Sequence, residues 1–481
     1  MQLSWPDYLV IGGYLTAIIM FGSWFARFQK TTRDYFLTDR SVPWWAVCFT
    51  IVATETSTLT FIGIPAATYA GNMTFLQLAI GYVIGRVIVS LLFIPAYFRG
   101  DLFTSYELLQ RRFGSRVKTL SAGIFLITRS LADGVRLFAT ALVIAVVTGV
   151  PVPWVVLVLG AAMIVYTVRG GVSAVIWTDV VQMFVYIAGA AAVAVVLLNR
   201  IPGGWTTVLN AGAAAGKFAV FDLAFDFSRP YTLWAGLLGG VALTLATHGT
   251  DQFLVQRLLS ARSAHEAARG LVLSGFIVFA QFVVFLMIGV MLFVYYQQHP
   301  LPRPLTRTDE ILPIFVVSSL SHGLAGFIVA AIVAAALSPS LNAMASTTVN
   351  DFYLRYVNPA ADQATQMRVS RRATVGWGLV QLLIALGAQW MDRSVLDAGL
   401  AVLSFASGAV LGAFLLGTLM PRIREREVVI GMIAGLATMT AVWGWTSVAF
   451  TWYVFIGAVT TCVVAWLFSG FASPNEREVP A

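Results

Sequence analysis

Charge is scarce in this 481-residue chain. Only 11% of its residues are Asp, Glu, Lys or Arg, while 59% are apolar and the mean hydropathy is +0.83. Soluble domains carry roughly 25% charge, so a water-facing shell around a single core is excluded. Cysteine is nearly absent. Cys48 and Cys462 both fall inside apolar runs, which excludes a disulfide framework and a cysteine metal site and leaves them as small apolar filler. Zinc-protease spacing is missing as well: His265-Glu266 in SAHEAARG has no second histidine at the fifth position and reads as a solvated helix. The period-2 alternation of a membrane barrel is absent. The first residues lack a basic segment and a small-residue cleavage site, so the run 7–26 is expected to be retained as a helix.

Long apolar runs are what the chain does have. Thirteen windows are long enough to span a bilayer as helix: 7–26, 44–70, 75–98, 119–148, 152–169, 174–198, 232–256, 270–297, 321–350, 373–390, 396–420, 427–447 and 450–470. The fold class expected is therefore an all-α polytopic membrane protein. The net charge of +8 sets topology rather than binding nucleic acid. With the N-terminus outside, the loops on the inner side hold 21 Lys and Arg, those outside hold 6, and Arg86, Arg129 and Arg136 lie within runs. That asymmetry follows the positive-inside rule. It places the C-terminus in the cytoplasm and the chain in a plasma membrane, of the bacterial inner type. The connections 199–231, 298–320 and 351–372 are too short for a soluble core, so one transmembrane domain is expected over 1–481. Most of the fourteen tryptophans sit at run ends, as in VPWW, and read as interfacial anchors.

One run looks wrong for its place. IVATETSTLTFIGIP, from Ile51 to Pro65, carries Glu55 and five hydroxyls and then Gly63 and Pro65. Threonine and serine compete for backbone hydrogen bonds, and glycine and proline loosen a helix further. A break there would expose carbonyl oxygens, which at membrane depth must face protein, water or an ion. The seventh run repeats the theme with Ala246-Thr247-His248-Gly249-Thr250-Asp251. Paired interrupted helices in two halves point to a transporter site at a repeat interface.

Four acids lie in these runs: Glu55, Asp133, Asp179 and Asp251. Each costs about 2.5–3.5 kcal/mol at the bilayer centre unless paired or solvated, so each is a functional candidate. A structural ion pair is the alternative, strongest for Asp133, which has Arg129 four residues before and Arg136 three after. Two arginines against one aspartate still leave a positive surplus that suits a substrate carboxylate. Arg86 has no partner on its own helix; a tie to a neighbouring span and an anion contact both stand open. His248 reads equally as cavity lining or as a structural hydrogen-bonding residue.

Four segments then carry a resemblance: DYFLTDRSVPWWAV (Asp34–Val47), VYTVRGGVSAVIWTDVVQ (Val165–Gln182), GTDQFLVQRLLSARS (Gly249–Ser263) and ALSPSLNAMASTTVNDFY (Ala336–Tyr353). Together they resemble the sodium/solute symporter family over about residues 5–470, with Arg-Gly-Gly…Trp-Thr-Asp the most specific signature. The resemblance implies alternating access, thirteen transmembrane helices and a five-plus-five inverted-repeat (LeuT-like) core. The first repeat would cover 44–198, the second 232–420, with C-terminal helices and tail over 421–481. The implied cargo is a small molecule, with no enzyme activity, no cofactor beyond Na+ or H+ as coupling ion, no nucleic acid and no obligate protein partner; the lipid bilayer is the remaining contact.

Carried over residue by residue, the resemblance assigns the main sodium site to the carbonyls of Ala53 and Thr56, the carbonyl of Ile332, and two hydroxyl positions that match Ala335 and Ala336. Alanine supplies no side-chain oxygen, whereas a hard cation of this kind takes about six. Asp179 and Ser338 match a second sodium position in some members, and Pro339 replaces a further hydroxyl there. Glu55 stands where other members have aspartate or asparagine. Three readings follow: sodium held by carbonyls, water and Glu55; a proton on Glu55 instead; or uncoupled transport. The substrate pocket would be made by Glu55, Thr60, Ile84, Val87, Asp251, Gln281, Leu400, Ser404 and Ser407. Sugar-contacting positions become Ile, Val and Leu, and with Arg136 or Arg86 close by this suggests a small organic acid, amino acid or similar metabolite.

Other classes fit less well. A channel would more often be a symmetric oligomer of few spans, and an intramembrane enzyme would need a nucleophile with its base, which is not found. A protein of transport fold that mainly senses or binds its ligand is the remaining alternative.

Overall fold

Trp44 to Ala70 forms two helices instead of one. The computed structural model, which describes residues 3–28, 31–100, 102–336, 340–390 and 395–470, ends the first at Glu55 and starts the second at Thr58. The two are bent by 60°. Ser338 and Pro339 lie outside the described residues. Every long described element is helical, and extended pairing among them is limited to one bridge between Val42 and Ala261.

In chain order the main elements are α1 (Trp5–Trp24), α2 (Trp44–Glu55), α3 (Thr58–Ala70), α4 (Leu76–Leu92), α5 (Ser115–Thr148), α6 (Val152–Arg200) and α7 (Val241–Gly249). They continue with α8 (Gln252–Leu259), α9 (Ala264–Gln298), α10 (Leu324–Ala336), α11 (Leu341–Thr347), α12 (Gln363–Gly387), α13 (Val395–Leu419), α14 (Glu425–Trp445) and α15 (Tyr453–Gly470). Among the described residues eight helices are long and apolar enough to cross a membrane, or nine with the bent pair taken as one span. Three shorter apolar helices, Leu76–Leu92, Ala235–Gly249 and Leu324–Ala334, join them. At 1.5 Å per residue the 49 residues of α6 would reach roughly 73 Å, more than twice a hydrocarbon core of about 30 Å. Gly171, at φ 59° and ψ −161°, divides it between the two runs expected from sequence. Large aliphatic side chains such as Leu91, Val158 and Leu383 stay exposed on the outside of the bundle, as a lipid-facing surface requires.

Packing places the broken helix at the centre. α9 lies along α2, α3 and α4; α6 packs on α1, α2, α10 and α12; and α5 packs on α12 and α13. The third and seventh runs approach backbone to backbone. A Cβ on Gly81 would run into the Gly236 carbonyl, and one on Gly85 into the Thr244 side chain. Small residues at such crossings let helices close without large side chains between them. Here they bring Tyr82 and Arg86 of α4 against Thr244, Thr247 and His248.

The far end of α3 is tied down by a lysine. The Lys217 ammonium donates to the carbonyls of Thr68, Tyr69 and Gly71 at 3.2, 2.7 and 2.9 Å and lies 4.1 Å from the centre of the Phe293 ring. These carbonyls end a helix and have no later turn to pair with, and a cation there also complements the helix dipole. Burial lowers the Lys217 pKa from its ordinary value. Lys217→Met is expected to cost about 1–3 kcal/mol through the unpaired carbonyls, read as a lower unfolding temperature of the detergent-purified protein. An unchanged transition would mean that the 199–231 connection does not seat on α3.

Candidate functional site

The break frees two backbone oxygens. In a continuous helix the Ala53 carbonyl would accept from the Ser57 amide and the Thr56 carbonyl from the Thr60 amide. The Ser57 amide instead donates to the Glu55 carbonyl at 2.9 Å, and the Thr60 amide to the Ser57 carbonyl at 2.9 Å. Ala53 and Thr56, the two carbonyl positions predicted from sequence, are thus released from the ladder. Side chains hold the break open. The Thr60 hydroxyl donates to the Glu55 carbonyl at 3.1 Å, and Gln281 Nε2 of α9 donates to the Thr56 hydroxyl at 2.7 Å.

Glu55 turns its carboxylate to Arg86 of α4, with which it forms a direct ion pair. Arg86 is fully buried. Its Nη2 also lies 3.2 Å from His248 Nε2. Arginine can only donate, so His248 Nε2 accepts, and the ring proton sits on Nδ1, 2.9 Å from the Thr247 hydroxyl. That hydroxyl passes its own proton to the Leu243 carbonyl at 2.9 Å. The open question over Arg86 is answered by the tie to a neighbouring span. His248 does both things: it is bonded and it lines a cavity.

That cavity, about 120 Å³, is walled by the two broken runs, α4, α5 and α9. Thr54, Glu55, Ser57 and Thr60 form one side, with Arg129 and Arg136 of α5 opposite, while Phe75, Tyr82 and Phe282 supply an aromatic wall. The two arginines differ. Arg129 pairs with Asp251 and reaches Asp133 at 3.7 Å. Asp133 also accepts from the Ser340 hydroxyl. Arg136 makes no side-chain hydrogen bond or ion pair with a described residue, and its Nη1 is buried without a partner among them. Arg136 therefore borders the cavity with a buried N–H unspent and, unlike Arg129, without an ion pair to a described residue.

Asp179 lies apart from this cavity. Its Oδ2 accepts from the Thr50 hydroxyl at 2.6 Å, from the Thr54 hydroxyl at 3.4 Å and from Arg257 Nη2 at 3.1 Å. Both charged residues are fully buried. The residue matched to a second sodium position thus carries an arginine as counter-ion here. Arg257 is one of the 21 cations assigned to the inner loops from sequence, and that placement is corrected: α8 continues through it into the bundle, and only 1% of it is exposed.

Six expected pocket residues, Ile84, Val87, Asp251, Gln281, Ser404 and Ser407, do not line the cavity. Val87 is 39% exposed, as is Ile84. With 3.6 residues per turn α4 turns Tyr82, Arg86 and Val89 inward and these two outward. Asp251 caps α8, accepting from the Phe253 amide at 2.9 Å, and is spent on Arg129. It lines a separate small space with Tyr106 and Ser407. Gln281 supports Thr56 from behind, and Ser404 is buried beside the cavity-lining Leu403 without facing the space itself. Ala335 and Ala336 close α10, and Ser338 lies outside the described residues. The side chains of Ala335, Ala336 and Leu400 are likewise not among those described. Sequence reasoning missed Phe75, Tyr82 and Phe282; the pairing of Tyr82 with Arg86 one turn on was the available signal.

Comparison with known proteins identifies the family and the fold. The model of the sodium:solute symporter family matches residues 35–435. The chain is 31% identical over 472 residues to the sodium/sialic acid symporter NanT of Aliivibrio fischeri, covering 96% of this chain and 92% of that protein. It is 28% identical over 479 residues to the sodium/sialic acid symporter SiaT of Proteus mirabilis, covering 98% and 96%. It superposes with a TM-score of 0.91 at 27% identity on a sodium-coupled sialic acid symporter solved in a substrate-bound, outward-open state, over 98% of this chain and 99% of that one.

Proposed function

The chain belongs to the sodium:solute symporter family, and from that premise we propose that it carries a small anionic metabolite, held through its carboxylate by Arg136. It is a transporter and not an enzyme, and it couples its cargo to sodium by alternating access. One observation carries the proposed substrate class: the Arg136 guanidinium borders the central cavity without an ion pair to any described residue, Asp133 nearby being shared with Arg129 and Ser340. A half-buried cation with an unpartnered N–H is costly, and a bound carboxylate relieves that cost through charge-assisted hydrogen bonds. The aromatic side chains of Phe75, Tyr82 and Phe282 give the body of the bound acid an apolar surface to pack on.

Glu55 supports sodium rather than a proton as the driving ion. As counter-ion to Arg86 it is held charged, and protonating it would strand a buried guanidinium. The released carbonyls of Ala53 and Thr56 supply oxygens of the kind a hard cation takes. With the bent pair as one span, α6 as two and the three shorter apolar helices included, the proposed span count is thirteen. The paired breaks, at Thr56 and at Thr250-Asp251, support a five-plus-five inverted repeat over 44–198 and 232–420. The basic loops favour a bacterial inner membrane with the N-terminus outside. In proteoliposomes, uptake of sialic acid or of a short monocarboxylate such as lactate is expected to accumulate under an inward sodium gradient. It should collapse to the passive level when choline replaces sodium, and a proton gradient alone should not restore it. Uptake indifferent to sodium would end this reading.

A further inference from the structure

On the side of the break turned away from the central cavity, three oxygens meet. Thr58, in the first turn of α3, donates its hydroxyl to the Ile332 carbonyl of α10 at 3.0 Å. The Thr140 hydroxyl of α5 lies 2.8 Å from the Thr58 oxygen, and 3.0 Å from the Arg136 carbonyl one turn earlier. Thr58, Thr140 and Ile332 are all fully buried. Ile332 is one of the oxygens matched to sodium, and the alanines at 335 and 336 bring no hydroxyl to it.

We propose that in this chain the side-chain oxygen of the sodium site comes from Thr58, positioned by Thr140, in place of the hydroxyls that α10 lacks. The inference rests on the sodium-coupled reading above. Thr58 has the chemistry for it: a hydroxyl holds one proton and two lone pairs, so rotation about its Cβ–Oγ1 bond turns it from donor to ligand. The spacing suits the exchange. Two oxygens at right angles around a hard cation bound at about 2.4 Å are roughly 3.4 Å apart, a few tenths of an ångström from the observed 3.0 Å pair. Without the ion, donation to the Ile332 carbonyl keeps the Thr58 hydroxyl satisfied at membrane depth. With it, the same two oxygens would join the Ala53 and Thr56 carbonyls, freed by the break between α2 and α3, as the ligands offered to the ion. Thr140 also links this site to the anion site, because its hydroxyl is shared between Thr58 and the turn that carries Arg136.

Sodium binding to the purified protein in detergent, followed by thermal shift across a sodium titration at constant ionic strength with choline, tests this without transport. Thr58→Val keeps the shape and removes the hydroxyl; its half-saturating sodium concentration is expected to rise tenfold or more. Thr58→Ser, which keeps the hydroxyl, should stay within about threefold of wild type, and Thr140→Val should show an intermediate weakening. If wild type responds to sodium and Thr58→Val responds equally well, the Thr58 assignment is overturned. If Thr58→Val fails to fold, Thr140→Val decides: unchanged sodium affinity there also overturns it. A wild-type protein blind to sodium would instead remove the sodium-coupled reading itself, so the two failures are distinguishable.

Discussion

Arg136→Ala is expected to lower uptake of an anionic substrate roughly 30-fold or more at sub-saturating concentration while leaving the protein folded. Truncating one partner of a desolvated charge pair costs about 2–5 kcal/mol, and about 1.4 kcal/mol is a factor of ten. The fold should survive because Arg136 forms no ion pair with a described residue, and Asp133 keeps Arg129 and Ser340 as partners when Arg136 is removed. Removing this half-buried, unpaired cation is expected to leave the unfolding temperature of the empty protein about unchanged. Arg136→Lys should recover only part of the activity, since an ammonium cannot make the planar two-point contact of a guanidinium. Initial uptake rates of sialic acid and lactate in proteoliposomes, normalised to reconstituted protein, provide the check. Intact uptake of both in Arg136→Ala would remove the basis for the anion site.

Glu55→Gln is expected to act the opposite way, on stability first. It leaves Arg86, fully buried, with a neutral amide in place of its counter-ion. Removing one partner of a buried ion pair costs about 3–5 kcal/mol, a large share of the few kcal/mol by which most proteins are stable. The unfolding temperature should fall sharply and transport with it. The double variant Glu55→Gln/Arg86→Met should regain much of the stability, because replacing both charges removes the stranded one. The cycle of two single and one double variant measures the coupling directly. A Glu55→Gln protein as stable as wild type would show that the pair does not form. Were Glu55 instead the proton carrier considered from sequence, the variant would keep its stability and lose only the response to a proton gradient.

These two residues show how far the sequence reading reached. Glu55 stood out because a carboxylate among five hydroxyls is costly in lipid, and that cost is fixed by composition alone. Its partner was not legible. Arg86 lies 31 residues away on another helix, and the Gly81–Gly236 and Gly85–Thr244 contacts that align α4 with the seventh run are decided by backbone approach. Asp133 was read as paired with its neighbours on α5. The structure keeps the contact with Arg129 but turns Arg129 mainly to Asp251 and gives Asp133 a second partner in Ser340. Helical spacing places side chains on a shared face; it does not say which of several partners from other helices arrives first. Val87 went astray for a related reason, since a position matched along the chain carries no information on which way α4 is rotated.

By itself the sequence determined the environment and the breaks. Long apolar runs must be helical in lipid because backbone groups there have no water to bond, and hydroxyls with glycine and proline weaken a helix wherever they cluster. Both are local effects, so a linear reading captures them. Only the tertiary structure decided which charge remained unspent, which arginine neutralised Asp179, and that the Thr58 hydroxyl meets the Ile332 carbonyl 274 residues away. Electrostatic pairing and ligand geometry depend on separations of a few ångströms between helices, and those separations are set by packing.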